Sequence, residues 1–136
     1  MEAAAENKKR VVVCDRPNPM GGEVIDGPIL DPAFRSFIGV APIPVVHGMT
    51  IGELAWLFNR EFKIGCDLTV IPMRGWKRSM LFRETGLFWV PPSPHIPTPE
   101  TALFYPITGL IGEMGTLSEG VGTPMPFHLV GATWMD

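Results

Sequence analysis

Four short stretches of this chain carry side chains able to bind or transform a polar substrate. Asp15-Arg16-Pro17-Asn18-Pro19 offers a carboxylate, a guanidinium and an amide on one stiff turn. The planar guanidinium fork suits a carboxylate or sugar oxygens; an Asp15–Arg16 ion pair that merely pins the loop is the plain alternative. Asn18, between two prolines, is a substrate ligand or a turn residue that satisfies its own backbone. His47, before Gly48, offers an imidazole, although a lone histidine without partners at metal spacing is more often structural. Trp76, with Arg74, Lys77 and Arg78 beside it, fits a stacking platform for a sugar ring or a tryptophan at the edge of the core. Glu119, in Ser118-Glu119-Gly120, has no helix to cap and is the carboxylate most available for acid or base work. Glu53 stands three residues after Thr50, which favours a capping box over catalysis.

These groups need elements to position them. Val11-Val12-Val13-Cys14 is a short β-branched run that reads as a buried strand, with Cys14 as a small hydrophobe. Pro17 and Pro19 stop the ladder, because proline lacks an N–H and fixes its own φ. Asp15, Arg16 and Asn18 then sit just past the strand's carboxyl end, where open α/β sheets bind their ligands. Leu68 to Met73 is a second strand, apolar enough for a parallel sheet covered on both faces, and Arg74 to Arg78 leaves its carboxyl end. Between the two, Pro42 and Pro44 keep the approach to His47 extended. Thr50 opens a helix with Ile51, Leu54, Ala55, Phe58 and Phe62 on its apolar side, and Gly65 ends it.

The remainder is sketchier. Glu2 to Lys9 reads as a short helix. Met20 to Asp31 is Gly/Pro loop, and 32–39 is a helical turn with Phe34 and Phe37 inward. Trp89 to Pro99 is loop by composition. Thr98 caps a helix with Pro99 at its first position; Leu103 and Phe104 face the core, and Pro106 kinks or ends it. His128 to Trp134 closes the chain extended. The expected core comprises Leu54, Phe58, Val70, Ile71 and Leu103.

Composition narrows the classes. At 136 residues with 46% hydrophobic and 18% charged residues, the chain is one globular domain at most. A net charge of −3 gives no basic surface for nucleic acid. No apolar run reaches the roughly 20 residues of a spanning helix, so membrane insertion is not expected. The first ten residues lack the apolar stretch of a signal peptide. Two cysteines, Cys14 and Cys66, make neither a disulfide framework nor a metal site. Nothing calls for a cofactor or a metal. Fifteen prolines and fifteen glycines imply much shaped loop.

Taken in order, several motifs are jointly specific. They are Asp-Arg-Pro-Asn-Pro at 15–19, Asp26-Gly27-Pro28, the run from His47 to Ala55, Gly75-Trp76-Lys77-Arg78, Thr85-Gly86-Leu87 with Trp89-Val90, Pro92-Ser93-Pro94, Ser118-Glu119-Gly120, and Gly131-Ala132 with Trp134. The chain resembles the bacterial exo-β-N-acetylmuramidases, a family long catalogued as a domain of unknown function. The resemblance implies a glycoside hydrolase that releases terminal N-acetylmuramic acid from the non-reducing end of peptidoglycan fragments. It also implies export, although nothing in this chain carries an address.

On that resemblance the fold is α/β, a Rossmann-like layered arrangement with a mostly parallel sheet, incomplete at its N-terminal side. Residues 1–136 form a single partial domain, without the family's leading strands and smaller C-terminal domain. Glu119 and Asp15 are the catalytic candidates; Arg16, Asn18, His47, Arg74, Trp76, Ser93 and His95 are the substrate-binding ones. The family's earlier Glu-His-Gly motif has no counterpart, so the partner carboxylate is missing and the chain alone is expected to be inactive. Two departures stand out: His95 follows Pro94 where many members have asparagine, and Val121 follows Gly120 where many have arginine. Recognition of the muramic lactyl carboxylate then falls to Arg16 or Arg74. A non-catalytic carbohydrate-binding or assembly module and an unstable truncated product are the alternative readings. The oligomeric state is not legible.

Overall fold

The structure is a computed structural model and describes residues 1–135. Its centre is a βαβ unit. Strand β1 (Val11–Cys14) pairs in parallel with β4 (Leu68–Ile71), Val11 opposite Leu68 and Cys14 opposite Ile71. Helix α2 (Ile51–Glu61) crosses between them and packs on both strands. A two-stranded antiparallel sheet, β2 (Asp26–Ile29) with β3 (Pro44–Val46), is inserted between β1 and α2. A five-residue helix α1 (Glu2–Glu6) precedes β1, and α3 (Pro99–Gly112) follows a long loop region. The fold is therefore mixed α/β with a parallel pair at its centre, as expected.

The start of α2 follows from its sequence. The Thr50 side chain accepts from the Glu53 amide, and the Glu53 carboxylate accepts from the Thr50 amide at 2.9 Å, which completes the capping box. The end comes earlier than Gly65. Lys63 takes the left-handed conformation, and the Asn59 amide grips both backbone groups of Cys66, so the chain has already turned toward β4.

Coverage of the central pair is one-sided. Side chains alternate along a strand, and α2 covers the face carrying Val11, Val13, Leu68 and Val70. Val12, Cys14, Thr69 and Ile71 point the other way and are exposed. The expectations of a sheet covered on both faces, of a buried Cys14 and of Ile71 in the core are thus corrected by one fact: with two strands and one helix, only one face is covered. Fully buried apolar residues are Ala41, Ala55, Cys66, Phe82 and Phe127. The accessible surface is 9535 Å², against about 7,000 Å² for a compact monomer of 14.9 kDa.

Other expectations shift as well. β2 lies within the stretch read as Gly/Pro loop; Gly27, with φ +86, packs against Val45 across an irregular ladder. Phe34 and Phe37 are exposed, because Asp31 caps only a short 3-10 turn over Pro32–Phe34 and no described element lies above it. Thr98 caps α3 with Pro99 in the first turn, as expected. Phe104 is half exposed rather than core. Pro106 does not end the helix, which runs on to Gly112; on either side of it Tyr105 packs edge-on against Phe127 at 5.0 Å and the Thr108 hydroxyl donates to the Phe127 carbonyl at 2.8 Å. The described end of the chain is loop and not extended strand, closed on itself by an isolated bridge between Ser118 and Gly131.

Gly52 sets how closely α2 approaches the strands. A Cβ there would lie 2.7 Å from Val70 Cγ1 and 2.8 Å from the Asp15 carboxyl carbon. Gly52→Ala should therefore destabilise the chain by about 1–3 kcal/mol through overpacking, despite alanine's better helix propensity. Urea unfolding checks this; a variant at least as stable as the parent would mean that the helix can move away freely.

Candidate functional site

The carboxyl ends of β1 and β4 open onto a cleft of about 420 Å³. Asp15, Arg16 and Pro17 form one wall; Arg74, Gly75 and Trp76 form the other; Met73, Met80, Thr85 and Leu87 complete it. Four of the residues singled out in the sequence, Asp15, Arg16, Arg74 and Trp76, are thus brought together from two loops. Parallel pairing causes this, since both strands leave the sheet at the same edge.

Their states differ. One oxygen of Asp15 accepts from the Gly52 amide at 2.8 Å and from the Arg16 amide at 2.9 Å, and the other accepts from the Thr50 hydroxyl at 2.9 Å. The carboxylate is committed to the first turn of α2, where an anion is also favoured by the helix dipole. In this geometry it anchors strand to helix. Arg16 and Arg74 take part in none of the ion pairs among the described residues, which are Arg10–Asp67, Arg60–Glu61 and Arg78–Glu53. Two exposed guanidinium groups therefore flank the cleft.

Trp76 is half-buried, and Arg78 lies over its ring at 6.0 Å from the centroid. Its indole N–H is buried without a hydrogen-bond partner among the described residues. Arg78, read from sequence only as one of three cations, is in fact a clamp: it donates to the carbonyls of Gly22 and Gly48 and to Glu53 Oε1, the last at 2.6 Å. No spacing signal points to this, because its partners lie far off in the chain, at Gly22 and in the run from Gly48 to Glu53.

The other candidates lie elsewhere. Asn18 is a turn residue: its amide donates to the Met49 carbonyl and its oxygen accepts from the Met20 amide. His47 lines a different, apolar groove of about 560 Å³ with Leu54, Phe58 and Ile43. Ser93 accepts from the His95 amide within its own turn, and His95 is exposed. That loop is held by Trp89, whose indole donates to the Ile96 carbonyl while its ring meets Phe82 edge-on. Glu119 packs against the C-terminal end of α3, in room that exists because residue 112 is glycine. Neither Ser93, His95 nor Glu119 borders the cleft. Sequence reading also missed Thr101, fully buried and 3.2 Å from His128 Nε2, which ties the last loop to the start of α3.

Burial lowers the pKa of His47 from its ordinary 6.5. Its Nδ1 accepts from the Met49 amide at 3.0 Å, which only the neutral ring can do. The unfolded chain therefore binds the proton more readily. Stability should be full above the ordinary value and fall as pH drops through the lowered one, by at most about 1.4 kcal/mol per pH unit. His47→Asn keeps an acceptor two residues before Met49 without titrating. Urea midpoints between about pH 7 and pH 5 should fall less steeply in that variant; equal slopes would exonerate His47.

The chain is similar in sequence and fold to known proteins. The model of the exo-β-N-acetylmuramidase NamZ N-terminal region matches residues 1–100, and that of its C-terminal region matches 103–136; the two matches meet within α3. A peptidoglycan β-N-acetylmuramidase NamZ from Bacillus subtilis (strain 168) is 57% identical over 135 residues, which is 99% of this chain and 32% of that protein. Two crystal structures of DUF1343 family proteins from Bacteroides fragilis NCTC 9343 are also similar. One has a TM-score of 0.93 at 48% identity, covering all of this chain and 36% of its own. The other has a TM-score of 0.83 at 40% identity, covering 96% of this chain and 36% of its own. The chain spans about a third of the length of these relatives. By sequence and by fold, it belongs to the exo-β-N-acetylmuramidase family.

Proposed function

We propose that this chain supplies a sugar-binding wall of a peptidoglycan glycosidase that acts on terminal N-acetylmuramic acid. Membership of the family supports the reaction class. The observation that supports the site is the cleft at the carboxyl edge of β1 and β4, with Arg16 on one wall and Arg74 and Trp76 on the other. N-acetylmuramic acid combines an apolar ring face with a lactyl carboxylate. An indole face suits the first, and a guanidinium suits the second through paired, charge-assisted hydrogen bonds.

Cleavage of a glycosidic bond uses two carboxyl groups, about 5–9.5 Å apart according to mechanism. Within this chain Asp15 is occupied by α2, and Glu119 lies outside the cleft. The reading is therefore binding without turnover by these 136 residues, with the acid and base drawn from the remaining length of the full protein. The same two observations favour the carbohydrate-binding alternative for the chain on its own.

Titration of the chain with N-acetylmuramic acid, followed by NMR, tests this. Shifts should gather on Arg16, Arg74, Trp76 and Leu87. Arg16→Ala combined with Arg74→Ala should weaken binding by about tenfold or more, the loss of a charge-assisted pair. N-acetylglucosamine, which lacks the carboxylate, should bind the parent as weakly as the acid binds that variant. Equal affinity for the two sugars, or shifts scattered over the molecule, would defeat the assignment.

A further inference from the structure

We infer that Arg78 is the positioning residue for Trp76, holding the indole as a wall of the cleft and coupling it to the first turn of α2. The inference rests on the sugar-site reading for its consequence, although not for its geometry.

The indole of Trp76 is not held by its own polar atom, since the buried N–H has no partner among the described residues. Its orientation must come from contacts with the ring, and two of these stand out. The Arg78 guanidinium lies over the face at 6.0 Å from the centroid, and the backbone of Gly22 lies against the far edge. A Cβ at Gly22 would come within 3.1 Å of both Trp76 Cη2 and Arg78 Nε. Gly22 thus fills the space between the two side chains with backbone alone, and its amide donates to the Arg78 carbonyl at 2.6 Å.

The guanidinium is itself fixed from three sides. Nε donates to the Gly22 carbonyl at 3.1 Å, Nη2 to the Gly48 carbonyl at 3.0 Å and Nη1 to Glu53 Oε1. Glu53 is in turn the capping-box carboxylate of α2. The group is about half exposed, so the ion pair adds little to stability. What it supplies is direction: a planar fork satisfied on each edge can lie over an aromatic face in only one way. Lysine offers a charge without that plane.

The test uses the 136-residue chain labelled with 5-fluorotryptophan, the Trp76 ¹⁹F resonance being assigned by its loss in Trp76→Phe. Arg78→Lys and Arg78→Met should move or broaden that resonance and leave those of Trp56, Trp89 and Trp134 in place. Affinity for N-acetylmuramic acid should fall by about tenfold, and lysine should not rescue it. Glu53→Gln, which keeps a cap acceptor but removes the charge, should act in the same direction and more weakly. An unmoved Trp76 resonance in Arg78→Lys would overturn the proposal, as would all four resonances moving together. If Arg78→Met does not fold, Arg78→Lys and Glu53→Gln decide. A parent chain that binds no sugar would remove the sugar-site reading alone, because the fluorine spectra still report on Arg78.

Discussion

Asp15 holds the molecule's working end together. Its carboxylate joins the last residue of β1's exit to the first turn of α2 through the Gly52 amide and the Thr50 hydroxyl, while bracing the Arg16 amide next to it. Hydrogen bonds to a charged acceptor contribute about 1.5–3 kcal/mol each, and more is lost when a buried partner is orphaned. By comparison the half-exposed Glu53–Arg78 pair is minor. The sheet is only two strands wide and covered on one face, so a few strong polar contacts must do what a larger core does elsewhere.

From that anchor a relay of polar contacts runs outward. Thr50 gives its hydroxyl proton to Asp15 and receives the Glu53 amide; Glu53 receives the Thr50 amide and Arg78; Arg78 lies over Trp76. Asn18 adds a strut from the Asp15 loop to Met49, beside the same helix end. The cleft walls are therefore not independent loops. Each is tied to the N-terminus of α2, and Arg16 and Arg74, which take part in no ion pair among the described residues, line the space between them.

Much of this was legible. The β-branched run at 11–14, the prolines that stop it, the Thr50/Glu53 spacing and the second apolar run at 68–73 are local signals, and each marks its element, although the second strand ends at Ile71. What failed was long-range. Whether Cys14 and Ile71 are covered depends on how many elements lie over their face, which no window of sequence contains. Glu119 and His47 rank as candidates by residue type beside Arg16 and Trp76, yet Glu119 packs at Gly112 and His47 lines the groove beside the β2–β3 insertion. Arg78 was overlooked for the converse reason: its importance lies in partners at 22, 48 and 53. Asp15 reads by its chemistry as a possible catalyst, and only the coordinates reveal the three hydrogen bonds that make it an anchor.

Amide hydrogen exchange at Gly52 is the most direct probe of the anchor, compared between the parent chain and Asp15→Ala. Alanine removes at once the acceptors of the Gly52 and Arg16 amides and of the Thr50 hydroxyl. If Asp15 joins strand to helix as described, the Gly52 amide is among the slowest to exchange in the parent. It should lose that protection in the variant, together with the other amides of the first turn of α2. Equal protection in the two proteins would show that the helix is seated by something else.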